Sequence, residues 1–162
     1  MKHIKTSITA ILLASTLMAQ TLSAEWNILE SIDPMDDTTS AFCFIEADKP
    51  VRVGYQTVLP YIAIVRSPSG VSAHITYPGV FLGSDTMPVT IRYGKDKAET
   101  SSSGISTDYE TVFGPMDLLS RLKSVDSVLV RLTPYGESSV TVSFQIPDMD
   151  EMVAAMEAAT VD

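Results

Sequence analysis

The chain has 162 residues, of which 11 are basic and 20 acidic, for a net charge of −9, and it has one cysteine. That balance argues against nucleic acid and anionic membrane surfaces as partners, since both favour basic patches. A single cysteine excludes an intramolecular disulfide, and the length suffices for one domain with a core of its own.

The first 24 residues, "MKHIKTSITAILLASTLMAQTLSA", place Lys2 and Lys5 ahead of an apolar centre around Ala10 to Met18 and end on small Ala24. This is the three-part pattern of an export signal, and its apolar centre is too short for a bilayer span of about 20 residues. Cleavage is expected after Ala24, with Ala19 as the alternative. Residues 25–162 then form one exported domain of 138 residues, with nine basic residues against 20 acidic and a net charge of −11. No membrane insertion is expected after cleavage, and the expected location is the periplasm. Oligomeric state is not legible.

Trp26 follows the cleavage point. Its large apolar area is better buried as an anchor for the chain end than left free as a ligand-stacking ring. Next comes "DPMDDTTS" (33–40), in which Asp33, Asp36 and Asp37 lie close enough to suggest calcium. The loop lacks the alternating Asp pattern with its glycine, and Asp-Pro followed by Asp-Asp-Thr-Thr has the local hydrogen-bonding habits of a turn. A turn is the favoured reading. In "AFCFIEA" (41–47) Cys43 sits between Phe42 and Phe44, where a buried small hydrophobe is more natural than a reactive thiol.

Short apolar segments separated by turn residues continue along the chain: 41–47, 61–66, 71–77, 89–94, 127–135 and 139–146, with "VFLG" and "YETVF" as short additions. Such a succession predicts a mainly β fold, an antiparallel β-sandwich. Val128, Val130 and Leu132 alternate with Leu129, Arg131 and Thr133, and Val140, Val142 and Phe144 alternate with Thr141, Ser143 and Gln145. Gly136 in the connecting "PYGES" supplies the positive φ that the hairpin loop needs. The polar stretch 93–110 is either a long solvated loop or a hydroxyl-rich edge strand beside "VTIRYG".

Two segments have helical spacing. Residues 114–126 place Met116, Leu119 and Leu122 on one face behind Pro115 and Asp117. Residues 148–159 begin at Asp148 as N-cap, with Glu151 three residues on, and carry an apolar stripe of Met149, Met152, Val153 and Met156. The fold expectation is therefore a sandwich with two short helices, one of them C-terminal.

No catalytic motif is detectable. One histidine, His74, remains after the signal, which is too few for a zinc site of protein ligands. There is no Gly-x-Ser-x-Gly elbow, phosphate loop or dinucleotide fingerprint. No cofactor and no metal are expected, and the chain is expected not to be an enzyme.

The order of motifs, with Trp26, "DPMDDTTS", "LPYIAIVR" (59–66), "VTIRYG" (89–94), "RLTPYGESSVTVSF" (131–144) and a final helix, resembles the VasI/TagO family of type VI secretion system-associated proteins, small exported proteins of Gram-negative bacteria. By that resemblance Trp26, Asp36, Asp37 and Thr38 match the opening signature, Arg92 the mid-chain arginine, and Arg131, Pro134, Tyr135 and Phe144 the late hairpin. The family's cysteine pair is absent, because the corresponding regions read Arg66-Ser67 and Ala159-Thr160. The resemblance implies a non-catalytic accessory protein whose partner is an envelope or secretion-apparatus protein. An inhibitor of a secreted or envelope enzyme is the alternative, and a metal-assisted hydrolase comes last. An ion pair from Arg92 or Arg131 to Asp36 or Asp37 would pin the acidic loop to the sheet.

Overall fold

The computed structural model describes residues 24–32, 39–67 and 70–158. Asp33, Asp36, Asp37 and Thr38 lie outside the described residues, as does the segment read as an export signal up to residue 23.

Period-2 alternation decides the architecture. Strands β1 (Asn27–Ile32), β2 (Thr39–Glu46), β5 (Tyr61–Ser67), β6 (Gly70–Thr76) and β9 (Thr111–Phe113) form one sheet in the order β1-β2-β5-β6-β9. Strands β7 (Thr86–Tyr93), β8 (Glu99–Gly104), β10 (Ser127–Leu132) and β11 (Val140–Gln145) form a second in the order β11-β10-β7-β8. A small ribbon pairs β3 (Val51–Val53) with β4 (Gln56–Val58), and every pairing is antiparallel. Ala41, Cys43, Ile45, Ile62, Ile64 and Ile75 from the first sheet share a single buried core with Val89, Ile91, Val128, Val130, Val142 and Phe144 from the second. The fold is an antiparallel β-sandwich with two short helices, as the alternation predicts.

Helix α2 (Met149–Ala158) buries Met149, Met152 and Met156 in that core. The Asp148 carboxylate accepts from the Asp150 backbone N–H at 2.9 Å, an N-terminal cap. Trp26 is 5% exposed, and its indole N–H donates to the Asp148 carbonyl at 3.1 Å. One side chain thus fastens the start of β1 to the start of α2.

The other helix departs from expectation. The spacing predicts a helix over 114–126, but α1 spans only Leu118–Leu122 and Met116 is fully exposed. The Gly114 N–H is still bonded to the Ala73 carbonyl at 2.8 Å, and Leu118 N–H closes a turn on Pro115. The chain is tied to the sheet at 114 and turns over 115–118, and the helix that follows buries Leu118 and Leu122 instead of Met116. Arg121 docks α1 on the β7–β8 hairpin: its guanidinium lies 2.7 Å from Glu99 and 3.9 Å from the centre of the Tyr93 ring. Burial, and then the Asp117 charge, push the Tyr93 hydroxyl up to about 12.

"VFLG" is not a strand: residues 80–83 belong to the β6–β7 connection. Tyr77, Pro78, Gly79 and Val80 close a turn with the Val80 N–H on the Tyr77 carbonyl at 3.0 Å and Gly79 at φ +74°. The polar stretch resolves in favour of the edge strand, since β8 pairs with β7 from Thr86↔Gly104 to Ile91↔Glu99.

Tyr77 is fully buried, and its hydroxyl has no hydrogen-bond partner among the described residues. A buried unsatisfied hydroxyl costs about 1–3 kcal/mol. Tyr77→Phe is therefore expected to be neutral or stabilising by about 1 kcal/mol, read as an unchanged or raised thermal midpoint; a clear drop would show that the hydroxyl is satisfied.

Candidate functional site

The described members of the sequence-derived set fall in three places. Trp26 is in the core. Arg92 and Arg131 come together on the outer face of the four-stranded sheet, where the register sets Arg92 opposite Leu129 and Arg131 opposite Thr90. Tyr135 stands at the tip of the β10–β11 connection, 74% exposed.

Tyr135 has company that the sequence did not reveal. The Phe81 ring lies 5.7 Å from Tyr135 and 5.6 Å from Tyr109, although the three residues come from three different loops. Phe81 is 50% exposed and Tyr109 45%. After the turn at Gly79 the chain keeps period-2 alternation, so Val80 and Leu82 go into the core and Phe81 points out. Tyr135 is pushed out by another turn, with Glu137 N–H on the Pro134 carbonyl at 3.0 Å and Gly136 at φ +74°. Exposed rings from separate loops cost hydration without stabilising the core, and such clusters are enriched where partners bind.

Tyr109 has the most unusual backbone of the three. Its φ is +62°, and it is the one non-glycine residue at positive φ among the described residues. A bulky side chain held there costs on the order of 1–3 kcal/mol and persists only where its surroundings over-determine it. Asp108 supplies the constraint. Its carboxylate accepts from the backbone N–H groups of Glu110 at 2.9 Å and Thr111 at 3.1 Å, from the Thr111 hydroxyl at 3.1 Å and from the Ser106 hydroxyl. The Tyr109 carbonyl accepts from the Leu82 N–H at 2.8 Å, which locks the Tyr109 loop to the Phe81 loop. The Thr111 hydroxyl also lies 2.9 Å from that of Thr76, a buried pair.

Partial burial raises the Asp108 pKa, but the donors from Ser106, Glu110 and Thr111 outweigh it and hold the carboxyl below its ordinary value. A depressed folded-state pKa contributes stability above the unfolded value of about 3.9 and loses it as pH falls through the lower folded value. Asp108→Ala is expected to cost about 1 kcal/mol at pH 7, the modest size appropriate to an exposed carboxylate. Denaturation at a series of pH values should show that difference shrinking below about pH 4; a constant difference would contradict the charge-based account.

A second cluster covers the outer face of the five-stranded sheet. Phe42, Phe44 and Tyr61 pack on one another with centroids 5.6 to 6.3 Å apart, each half-buried. His74 lies 5.2 Å from the Phe113 ring, and its Nε2 is 2.7 Å from the Ser72 hydroxyl. Burial lowers the His74 pKa, and the Asp108 charge raises it in part. Ser72 and His74 are neighbours on one face of one strand, an arrangement any Ser-x-His strand produces. Among the described residues no hydrogen bond reaches Nδ1 of His74 to orient the ring, and no group of three or more His, Cys, Asp or Glu converges. No described helix is long and apolar enough to cross a membrane.

Sequence reading isolated Tyr135 but missed Phe81 and Tyr109. The available signal was an aromatic in each of three turn-rich segments, "YPGVFLGS", "STDYE" and "TPYGES". Their convergence is a property of the tertiary fold.

No family model and no curated protein matches the chain. Among solved structures it is similar to invasion associated protein B from Bartonella henselae, at 18% identity, covering 83% of this chain and 96% of that one with a TM-score of 0.52. At that identity the likeness is one of fold, and it extends over nearly the whole of the neighbour.

Proposed function

We propose that this is an exported, non-catalytic accessory protein that holds another protein of the cell envelope through the aromatic loop end formed by Phe81, Tyr109 and Tyr135. Residues 1–24 direct export, and the mature domain acts in the periplasm. The observation that carries this reading is the strained Tyr109 backbone, kept in place by Asp108 beside two further exposed rings. Rigid aromatic side chains present large contact area at little entropic cost, which suits a protein-binding surface. The sequence resemblance to type VI secretion-associated proteins favours a component of that apparatus as the partner. The description of the solved neighbour as invasion-associated agrees with an accessory role at or beyond the envelope.

The test is quantitative capture from periplasmic extract of the source cells with immobilised mature protein. The same partner should be enriched by the wild-type chain and by Tyr55→Ala, a fully exposed tyrosine outside the aromatic trio, and lost with Phe81→Ala/Tyr135→Ala. Equal recovery by all three proteins would refute the loop end as the binding site. A partner that proves to be an enzyme slowed by the complex would identify the role as inhibition.

A further inference from the structure

Arg92 and Arg131 are two basic residues that the sheet register sets side by side. After residues 1–24 the chain carries 20 acidic residues against nine basic ones, yet few of the described basic side chains meet a carboxylate. Arg121 does, with Glu99 at 2.7 Å, Asp96 at 3.7 Å and Asp117 at 3.8 Å. Like Arg52 and Arg66, Arg92 and Arg131 have none: no ion pair to them exists among the described residues. They are instead diagonal neighbours on adjacent strands β7 and β10, a position where like charges repel. With no carboxylate beside either of them among the described residues, a bound anion would relieve the repulsion between the two guanidinium groups.

Between the two arginines lies a hollow of about 160 Å³ lined by Thr90, Arg92, Ala98, Leu129, Arg131 and Thr141. Two guanidinium forks, the Thr141 hydroxyl, the Thr90 hydroxyl that lies 2.8 Å from that of Thr100, and the half-buried Leu129 as floor make a receptor for a planar carboxylate on a short aliphatic stem. Its size sets the ligand class. Drug-sized ligands occupy pockets of about 300–1,000 Å³, and a hollow of about 160 Å³ matches a single side chain. Among the described residues no aromatic ring lies on this face, where the alternation places Thr90, Thr100, Thr141 and Ser143 and turns Tyr93 inward. A sugar would have nothing to stack on.

The adjoining edges are unequal. The β11 edge is covered: the Asp48 N–H donates to the Ser143 carbonyl at 2.9 Å, and its carboxylate accepts from the Gln145 N–H at 2.9 Å. Strand β8 ends the sheet on the other side with Glu99–Ser102 exposed and is open to an extended peptide.

We infer that the outer face of the four-stranded sheet is a docking site for an acidic polypeptide segment, one Asp or Glu carboxylate of which sits between Arg92 and Arg131. The site shares no residue with the aromatic loop end, so each stands or falls alone.

Hexaglutamate is the probe, titrated into the mature protein at low salt and read by backbone amide shifts. Shifts should concentrate on β7, β8 and β10, and Arg92→Ala/Arg131→Ala should weaken binding at least tenfold without lowering the thermal midpoint. Arg92→Lys/Arg131→Lys should weaken it comparably, because lysine keeps the charge but loses the fork. Arg52→Ala/Lys123→Ala removes the same charge elsewhere and should leave affinity within twofold. Retention of binding by the lysine variant, equal weakening by the control pair, or tighter binding of an oligouronate than of hexaglutamate would each overturn the proposal.

Discussion

Trp26→Ala is expected to lower stability by about 3–5 kcal/mol, the range for truncating a large buried aromatic. For a domain of this size that corresponds to roughly 10–17 °C in thermal midpoint. The size of the effect follows from what the ring joins. Trp26 is 5% exposed, at the start of β1 and against the first residues of α2, and its indole N–H holds the Asp148 carbonyl at 3.1 Å. Truncation leaves a cavity and frees both elements, and α2 then loses support for Met149, Met152 and Met156. Trp26→Phe separates the two contributions. It keeps most of the burial and forfeits the hydrogen bond, so its cost should be nearer 1–2 kcal/mol. If Trp26→Ala moved the midpoint by less than a few degrees, the tryptophan would not be the link between β1 and α2.

The second large effect concerns binding. Removing Phe81 and Tyr135 together is expected to weaken partner binding by about 30- to 1,000-fold, the equivalent of about 2–4 kcal/mol for hot-spot aromatics. The fold should not suffer, because both rings are half exposed or more. Tyr109 gives a sharper version of the same experiment. Tyr109→Gly relieves a backbone held at φ +62°, so it should raise stability by about 1 kcal/mol while weakening the complex. A residue that stabilises the fold when removed and binding when present is placed for function. Were Tyr109→Gly to destabilise the protein, the ring would be part of the packing and its strain would have a structural cause.

Much of the sheet framework is legible from alternation alone. The β10–β11 hairpin reads directly, since Val128, Val130, Leu132, Val142 and Phe144 are all buried while Arg131 and Thr141 are exposed. The methionine stripe of α2 reads equally well, because i, i+3 and i+7 spacing admits one buried face. Strands β1, β3 and β4 were not legible: "NILESI" mixes polar and apolar positions, and "VRV" and "QTV" are too short to establish a period. Helix α1 misled because Met116 fits the helical spacing, whereas the chain makes a turn from Pro115 to Leu118 and the helix begins only at Leu118 with Met116 exposed.

The site was legible in part. Arg92, Arg131 and Tyr135 could be named from the sequence, but not what surrounds them. Arg92 meets Arg131 only through the β7–β10 register, and Tyr135 meets Phe81 and Tyr109 only because a hairpin loop and two connections between the sheets come together in the fold. Positive φ at Tyr109 has no composition signal whatever, since tyrosine is among the residues least expected there.

The most direct test of the loop end as the working surface is site-directed photo-crosslinking in the source cells. With p-benzoylphenylalanine in place of Tyr135, irradiation should give one discrete adduct with an envelope protein. The adduct should be absent when the same group replaces Lys123, which is exposed but borne just past α1, and should be lost when Phe81→Ala is added. Adducts of equal yield at both positions, or none at Tyr135, would contradict the account.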